Sequence, residues 1–198
     1  MNNQTKKAVF CFINGNPPNI QHEKFINSLI NVASNKKAYP FVFLSSEQDI
    51  TSQPLNFTDK VNYFKKVFSY IYIYENKINN YLDIVSYLYY KNFQELYVCT
   101  WIGNNEDLYS FQNFINSNGL EQIKLEKFEI IPVINTNPDK DPVNDTLFNS
   151  VIDNNYAEFK KVAMGNTEGD CSYLFRLLKK SVGIQESSKF KLQLKKLF

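Results

Sequence analysis

Short apolar runs alternate with amphipathic stretches along most of this chain, and that alternation leaves few folds open. Residues 8–13, 41–44, 71–74, 96–101 and 128–133 are brief and rich in β-branched or aromatic side chains, which predicts five buried strands. Between them, apolar residues recur at helical spacing. Phe25, Leu29 and Val32 make one such face, and Val61, Phe64 and Phe68 another. Leu82, Val85 and Tyr89 make a third, and Leu108, Phe111 and Phe114 a fourth. Strands separated by crossover helices imply an α/β fold. Its sheet is parallel, with helices on both faces, because a parallel neighbour is reached only by crossing over the sheet.

The texture changes after the fifth strand. Residues 135–142 form a turn-rich loop, and short helices are expected at 145–152, 155–163 and 170–181, the last closed by Gly183. We expect a Rossmann-like core over 1–134, with 135–183 as a C-terminal helical part of the same domain. The tail, 184–198, alternates basic and apolar residues. It reads either as a terminal element docked on its own domain or as an arm for a neighbouring subunit.

Charge and cysteine usage narrow the function classes. A net charge of +2 gives no global electrostatic case for nucleic acid. The three cysteines, Cys11, Cys99 and Cys171, form no Cys-x-x-Cys pair, and with one histidine no zinc site is expected. Cys11 and Cys99 fall inside apolar runs and read as reduced core residues. No apolar run approaches the roughly 18 residues a membrane helix needs, and the polar N-terminus lacks a signal-peptide core. The expected location is therefore the cytoplasm of a cell or the interior of a particle assembled there, with no membrane partner.

The first strand runs into Asn14-Gly15-Asn16-Pro17-Pro18-Asn19 and then a helix containing His22, the single histidine. Asn19 suits an N-cap, which places Gln21 and His22 in the first turn, above the end of the first strand. A turn feeding a helix N-terminus is a natural phosphate site, because unpaired N–H groups and the positive dipole end both face the ligand. With strand order 3-2-1-4-5, the order expected here, the sheet reverses between the first and fourth strands. Thr100-Trp101-Ile102-Gly103-Asn104-Asn105 would then face this turn across a cleft. Trp101 could stack on a base there, or simply pack beneath the loop. The tyrosines at 70, 72, 74, 87, 89 and 90 read as core and helix surface, and Lys65 and Lys66 as a solvated face.

Residues Ile13 to His22 resemble the signature Gly-x-Phe-(Asn/Asp)-Pro-x-(His/Thr)-x-Gly-His of the nucleotidyltransferase superfamily. That superfamily includes the nicotinamide-mononucleotide and phosphopantetheine adenylyltransferases. Asn16, Pro17 and His22 agree, whereas Ile13, Gly15, Asn19 and Gln21 depart from the pattern. Residues 44–61, the segment Ile102-Gly103-Asn104-Asn105, and the C-terminal helices extend the similarity. It is greatest to the adenylyltransferase-like proteins of large DNA bacteriophages and other large DNA viruses. The resemblance implies that His22 would be the catalytic residue of an active member. Asn16, Asn19, His22, Gly103 and Thr146 would bind nucleotide, with ATP and Mg²⁺ as the cofactors.

A second family motif, Ile-Ser-(Ser/Thr)-Thr-x-x-Arg, grips the outer phosphates. Its counterpart here is 143–150, where Thr146 survives but Asn144, Asp145 and Asn149 replace the serines and the arginine. Losing that arginine removes a fixed bidentate cation, and Asp145 puts negative charge where phosphate would lie. Lys24 or Lys140 could substitute for it. Loss of one transition-state donor alone costs about 3–4 kcal/mol. The sequence therefore leads to a degenerate, non-catalytic member without cofactor. It would serve as a structural or interaction module, such as a virion or assembly component, pairing with structural proteins or with itself. The alternative is an active enzyme transferring AMP from ATP to a small phosphorylated acceptor such as nicotinamide mononucleotide.

Overall fold

The computed structural model describes residues 5–49, 52–103, 106–117 and 122–184. Its sheet has five strands, β1 (Lys6–Ile13), β2 (Tyr39–Leu44), β3 (Tyr72–Ile73), β4 (Phe93–Trp101) and β5 (Lys127–Ile134). All pairings are parallel and the order is β3-β2-β1-β4-β5. The reversal between β1 and β4 follows from the crossovers. Helices α1 (Ile20–Lys36) and α2 (Phe57–Val67) cover one face, and α3 (Tyr81–Tyr90) and α4 (Glu106–Ser117) the other. This is a Rossmann-like α/β fold.

Two cores result from strand alternation, which sends successive side chains to opposite faces. Val9, Cys11 and Ile13 of β1 meet Phe25, Ile26 and Leu29 of α1 and Val61 and Phe64 of α2. Ala8 and Phe10 point the other way, to Ile84, Val85 and Leu88 of α3 and to Leu108 and Ile115 of α4. The expected faces of α3 and α4 hold at Val85 and Leu108, which are buried, and at Tyr89 and Phe111, which pack against this core, and fail at one residue each. Leu82 is 40% and Phe114 44% exposed, while Ile84, Leu88 and Ile115 take the core side. Helix α3 is apolar almost all round, so periodicity alone could not choose its buried stripe.

Three more helices, α5 (Val143–Ile152), α6 (Tyr156–Val162) and α7 (Glu168–Ser181), pack onto the α1/α2 core through Leu147, Val151, Phe159, Leu174 and Leu178. Lys65 and Lys66 lie on an exposed face, as expected, and the Lys66 ammonium in addition pairs with the buried carboxylate of Asp170 and ties α2 to α7. Tyr63 adds a second tie, donating to the carbonyl of Met164. Cys11, Cys99 and Cys171 are buried, unpaired thiols. Of the tyrosine cluster, Tyr70, Tyr72 and Tyr90 are exposed, whereas Tyr74 and Tyr87 pack ring to ring at 4.7 Å. Asn104, Asn105 and the tail 185–198 lie outside the described residues.

Candidate functional site

Helix α1 begins where the sequence places it. The Asn19 side chain accepts from the N–H groups of Gln21 (2.7 Å) and His22 (3.0 Å), satisfying two of the helix's orphan donors. His22 closes the box in return, its Nδ1 accepting from the Asn19 N–H at 3.2 Å. An accepting Nδ1 puts the ring proton on Nε2, which donates to Asp139 Oδ1 at 2.8 Å. His22 is fully buried. It is neither a solvated histidine nor one facing an open cleft.

Asp139 is the residue around which the site is organised. Its Oδ2 accepts from the Asn14 N–H at 2.9 Å, and its Oδ1 from the Gly15 N–H at 2.7 Å. Two consecutive amides and an imidazole N–H therefore converge on one carboxylate, the donor set expected to hold a phosphate oxygen. The left-handed turn at Gly15 (φ +63°) aims these amides, and Phe64 beneath leaves no room for a side chain. A Cβ there would lie 2.6 Å from Phe64 Cζ. Burial works to raise the Asp139 pKa. The hydrogen bond from His22, with those from the two amides, outweighs it and holds the carboxyl below its ordinary value.

The chain closes over the helix start from two directions. Asp139 belongs to a single 3₁₀ turn, Pro138–Lys140, capped by Asn137. Asn19 Nδ2 donates to the Pro138 carbonyl (3.0 Å) and to Asn144 Oδ1 (2.6 Å), while Asn144 Nδ2 donates to the Asp139 carbonyl (3.0 Å). From the other side, Asn19 bridges to Ala163, the Met164 N–H donates to the Pro18 carbonyl, and the Gly165 N–H donates to Glu23 Oε2.

The remaining expected residues divide by position. Asn16, after which the peptide bond to Pro17 is cis, is buried and spends its amide on Leu55, donating to the carbonyl and accepting from the N–H. Thr146 is half-buried on α5, where its carbonyl accepts from Ser150 Oγ at 2.6 Å. Gly103 is exposed beside Trp101, at the end of β4. Lys24 and Lys140, the substitutes considered for a lost arginine, are both exposed.

A cation that sequence reasoning passed over is Lys60. It is fully buried on α2, donating to Asn14 Oδ1 (3.0 Å) and to the Ser45 carbonyl (2.7 Å). Burial draws its pKa down to about 8, against the negative charges of Asp139 and Glu47 that support the ammonium. The signal was present, since Lys60 shares the buried face of Phe64 and Val67 at helical spacing. Lys60 and Asp139 thus balance one another beneath the first loop.

A cavity of about 280 Å³ opens over the ends of β1 to β3, bounded by Phe12–Asn14, Ser45–Glu47, Ile78, Asn79 and Asp139. It lies on the β2 side of β1, not on the β4 side where the strand order turns. Among the described residues no group of three or more His, Cys, Asp or Glu side chains is placed to hold a metal ion. Nor, among them, is any helix long and apolar enough to cross a membrane. The groups of the first turn do not fit a Mg²⁺-triphosphate, because Asp139 already engages the amides and the imidazole that would receive one. No protein-family model and no curated protein matches the chain.

Proposed function

We propose that this protein is a non-catalytic, adenylyltransferase-like module whose phosphate-binding turn is filled by its own Asp139. One observation carries the reading: the carboxylate accepts from the Asn14 N–H, the Gly15 N–H and His22 Nε2. An anionic ligand would have to expel a charged group holding three hydrogen bonds and enter beside it. The eroded second motif, with Asn149 where the family carries arginine, supplies no cation for that exchange. With the turn closed, the role left to the fold is interaction. It would act as a structural component of an assembly, in keeping with the resemblance to phage and viral proteins. The basic-apolar tail at 184–198 would be the contact to other structural proteins or to a second copy.

The test is thermal melting with ATP and Mg²⁺, because any ligand bound only by the native state raises the midpoint. We expect no shift at millimolar nucleotide and no pyrophosphate release with nicotinamide mononucleotide. A saturable rise in melting temperature together with pyrophosphate release would overturn the proposal in favour of the active transferase.

A further inference from the structure

A parallel sheet with returning helices has two unlike ends. Strand starts and helix C-termini share one, strand ends and helix N-termini the other. At the first end, Lys6 opens β1, Lys37 caps α1, and Tyr90 and Lys91 close α3. Tyr39, the first residue of β2, lies 5.7 Å from the Phe93 ring, and the Lys6 ammonium 5.9 Å from the same ring. Glu95 and Glu129 nearby are matched by Lys7, Lys36 and Lys127, so Lys6, Lys37 and Lys91 leave this end basic. At the second end, Leu82 and Asp83 start α3, Glu106, Asp107 and Tyr109 start α4, and Ile102 follows β4. The two helix starts are adjacent, the rings of Tyr81 and Phe111 being 6.3 Å apart. Helices favour acids in the first turn and bases in the last, which accounts for the sorting of charge. It does not account for the apolar surface beside it. Of the eight large apolar side chains left exposed among the described residues, five sit at these two ends, with Tyr90 67% and Ile102 58% in solvent. Tyrosine and aliphatic side chains ringed by charge are the make-up of a protein contact.

We propose that these ends are the two halves of one head-to-tail contact, by which the basic end of one copy seats on the acidic end of the next. The occupant of each end is thus a second copy of this chain. Lys6, Lys37 and Lys91 would meet Asp83, Glu106 and Asp107, and none of these six is in a salt bridge among the described residues. Tyr39 and Tyr90 would cover Leu82, Ile102 and Tyr109. Opposite charge around an apolar centre steers approach and fixes orientation. Each copy keeps one end open, so the contact repeats into species larger than a dimer, as a filament or a closed ring. Exposed tyrosines among lysines would also suit single-stranded nucleic acid. That occupant leaves the acidic end and its apolar side chains uncovered, whereas a second copy covers both ends. The choice of a protein partner rests on the interaction role proposed above, while the two ends themselves are independent of the closed turn at Asp139.

The test is sedimentation velocity of the full chain at rising concentration in about 20 mM and about 500 mM salt, since screening weakens contacts between exposed charges. At low salt the chain is expected to grow past the dimer, and at high salt to fall back toward monomer. Two variants reverse one end each: Lys6→Glu with Lys91→Glu, and Asp83→Lys with Asp107→Lys. All four side chains are exposed, and thermal melting checks that each variant folds. Either variant alone has two ends of like sign and should self-associate roughly tenfold more weakly. An equimolar mixture of the two should associate again, because each then meets an end of opposite charge. Four results would each overturn the proposal. The first is a wild type that stays monomeric at low salt, whether or not it binds a single-stranded DNA oligomer. The second is growth that salt leaves unchanged. The third is undiminished association in both variants, which would put the contact on 184–198 or another surface. The fourth is folded variants whose mixture does not recover. An ATP-induced melting shift would count against the non-catalytic reading alone, and a monomeric or salt-indifferent chain against this contact alone.

Discussion

At the scale of single residues, Asp139 decides how the first turn behaves. Asp139→Asn keeps the shape but halves the acceptor capacity, so one of three donors (Asn14 N–H, Gly15 N–H, His22 Nε2–H) must go unpaired or face an NH₂ group. We expect a loss of about 2–3 kcal/mol in urea unfolding at neutral pH, the range for hydrogen bonds to a charged group. The sign of the pH effect follows from the depressed pKa of Asp139. Its stabilisation is present above the unfolded carboxyl pKa near ~3.9. It fades as acid protonates the folded form. The wild type and Asp139→Asn should therefore converge in stability as pH falls below about 4. A constant gap between them down to pH 2 would refute the assignment.

Among the elements, the start of α1 is the most heavily tied. Asn19 caps the helix and also donates to Pro138 and Asn144, so one side chain joins α1 to the segment that delivers Asp139. Asn19→Ala should cost about 2 kcal/mol or more, at or above the upper end for N-cap removal, measured by urea denaturation. A loss of only a few tenths would mean the cap acts alone. The cap itself was legible in the sequence, as were all five strands, because period and capping chemistry are local signals; the sheet order also agrees with the one expected. The occupant of the turn was not. Asp139 looked like one more polar residue in a turn-rich loop, and its partners Asn14 and His22 are over a hundred positions away. The Lys66–Asp170 pair was illegible for the same reason, its acidic partner being supplied by a distant helix.

For the whole molecule, burial of ionisable groups in the α1/α2 core sets the response to alkali. Burial keeps Cys11 and Cys171 above the ordinary thiol pKa and lifts Cys99 to about 12. A raised pKa stabilises fully below the unfolded value, and that contribution is lost as pH climbs toward the folded one. Lys60 acts oppositely. With its pKa lowered to about 8, its burial penalty eases between that pH and the unfolded lysine value. Three thiols outweigh one amine. The urea midpoint under reducing conditions should fall between pH 8.5 and 10, by up to about 2 kcal/mol for each fully shielded thiol. A midpoint that rises across this window would show that Lys60 dominates.

The roof over the first turn also bears on how the backbone breathes. Asn14 and Gly15 sit in a loop, where amide protons ordinarily trade with water within moments, yet both are held by Asp139. In deuterated solvent, without any added compound, their protons should persist nearly as long as those of the central strand β1. Asp139→Asn should release them first, while the β1 signals remain.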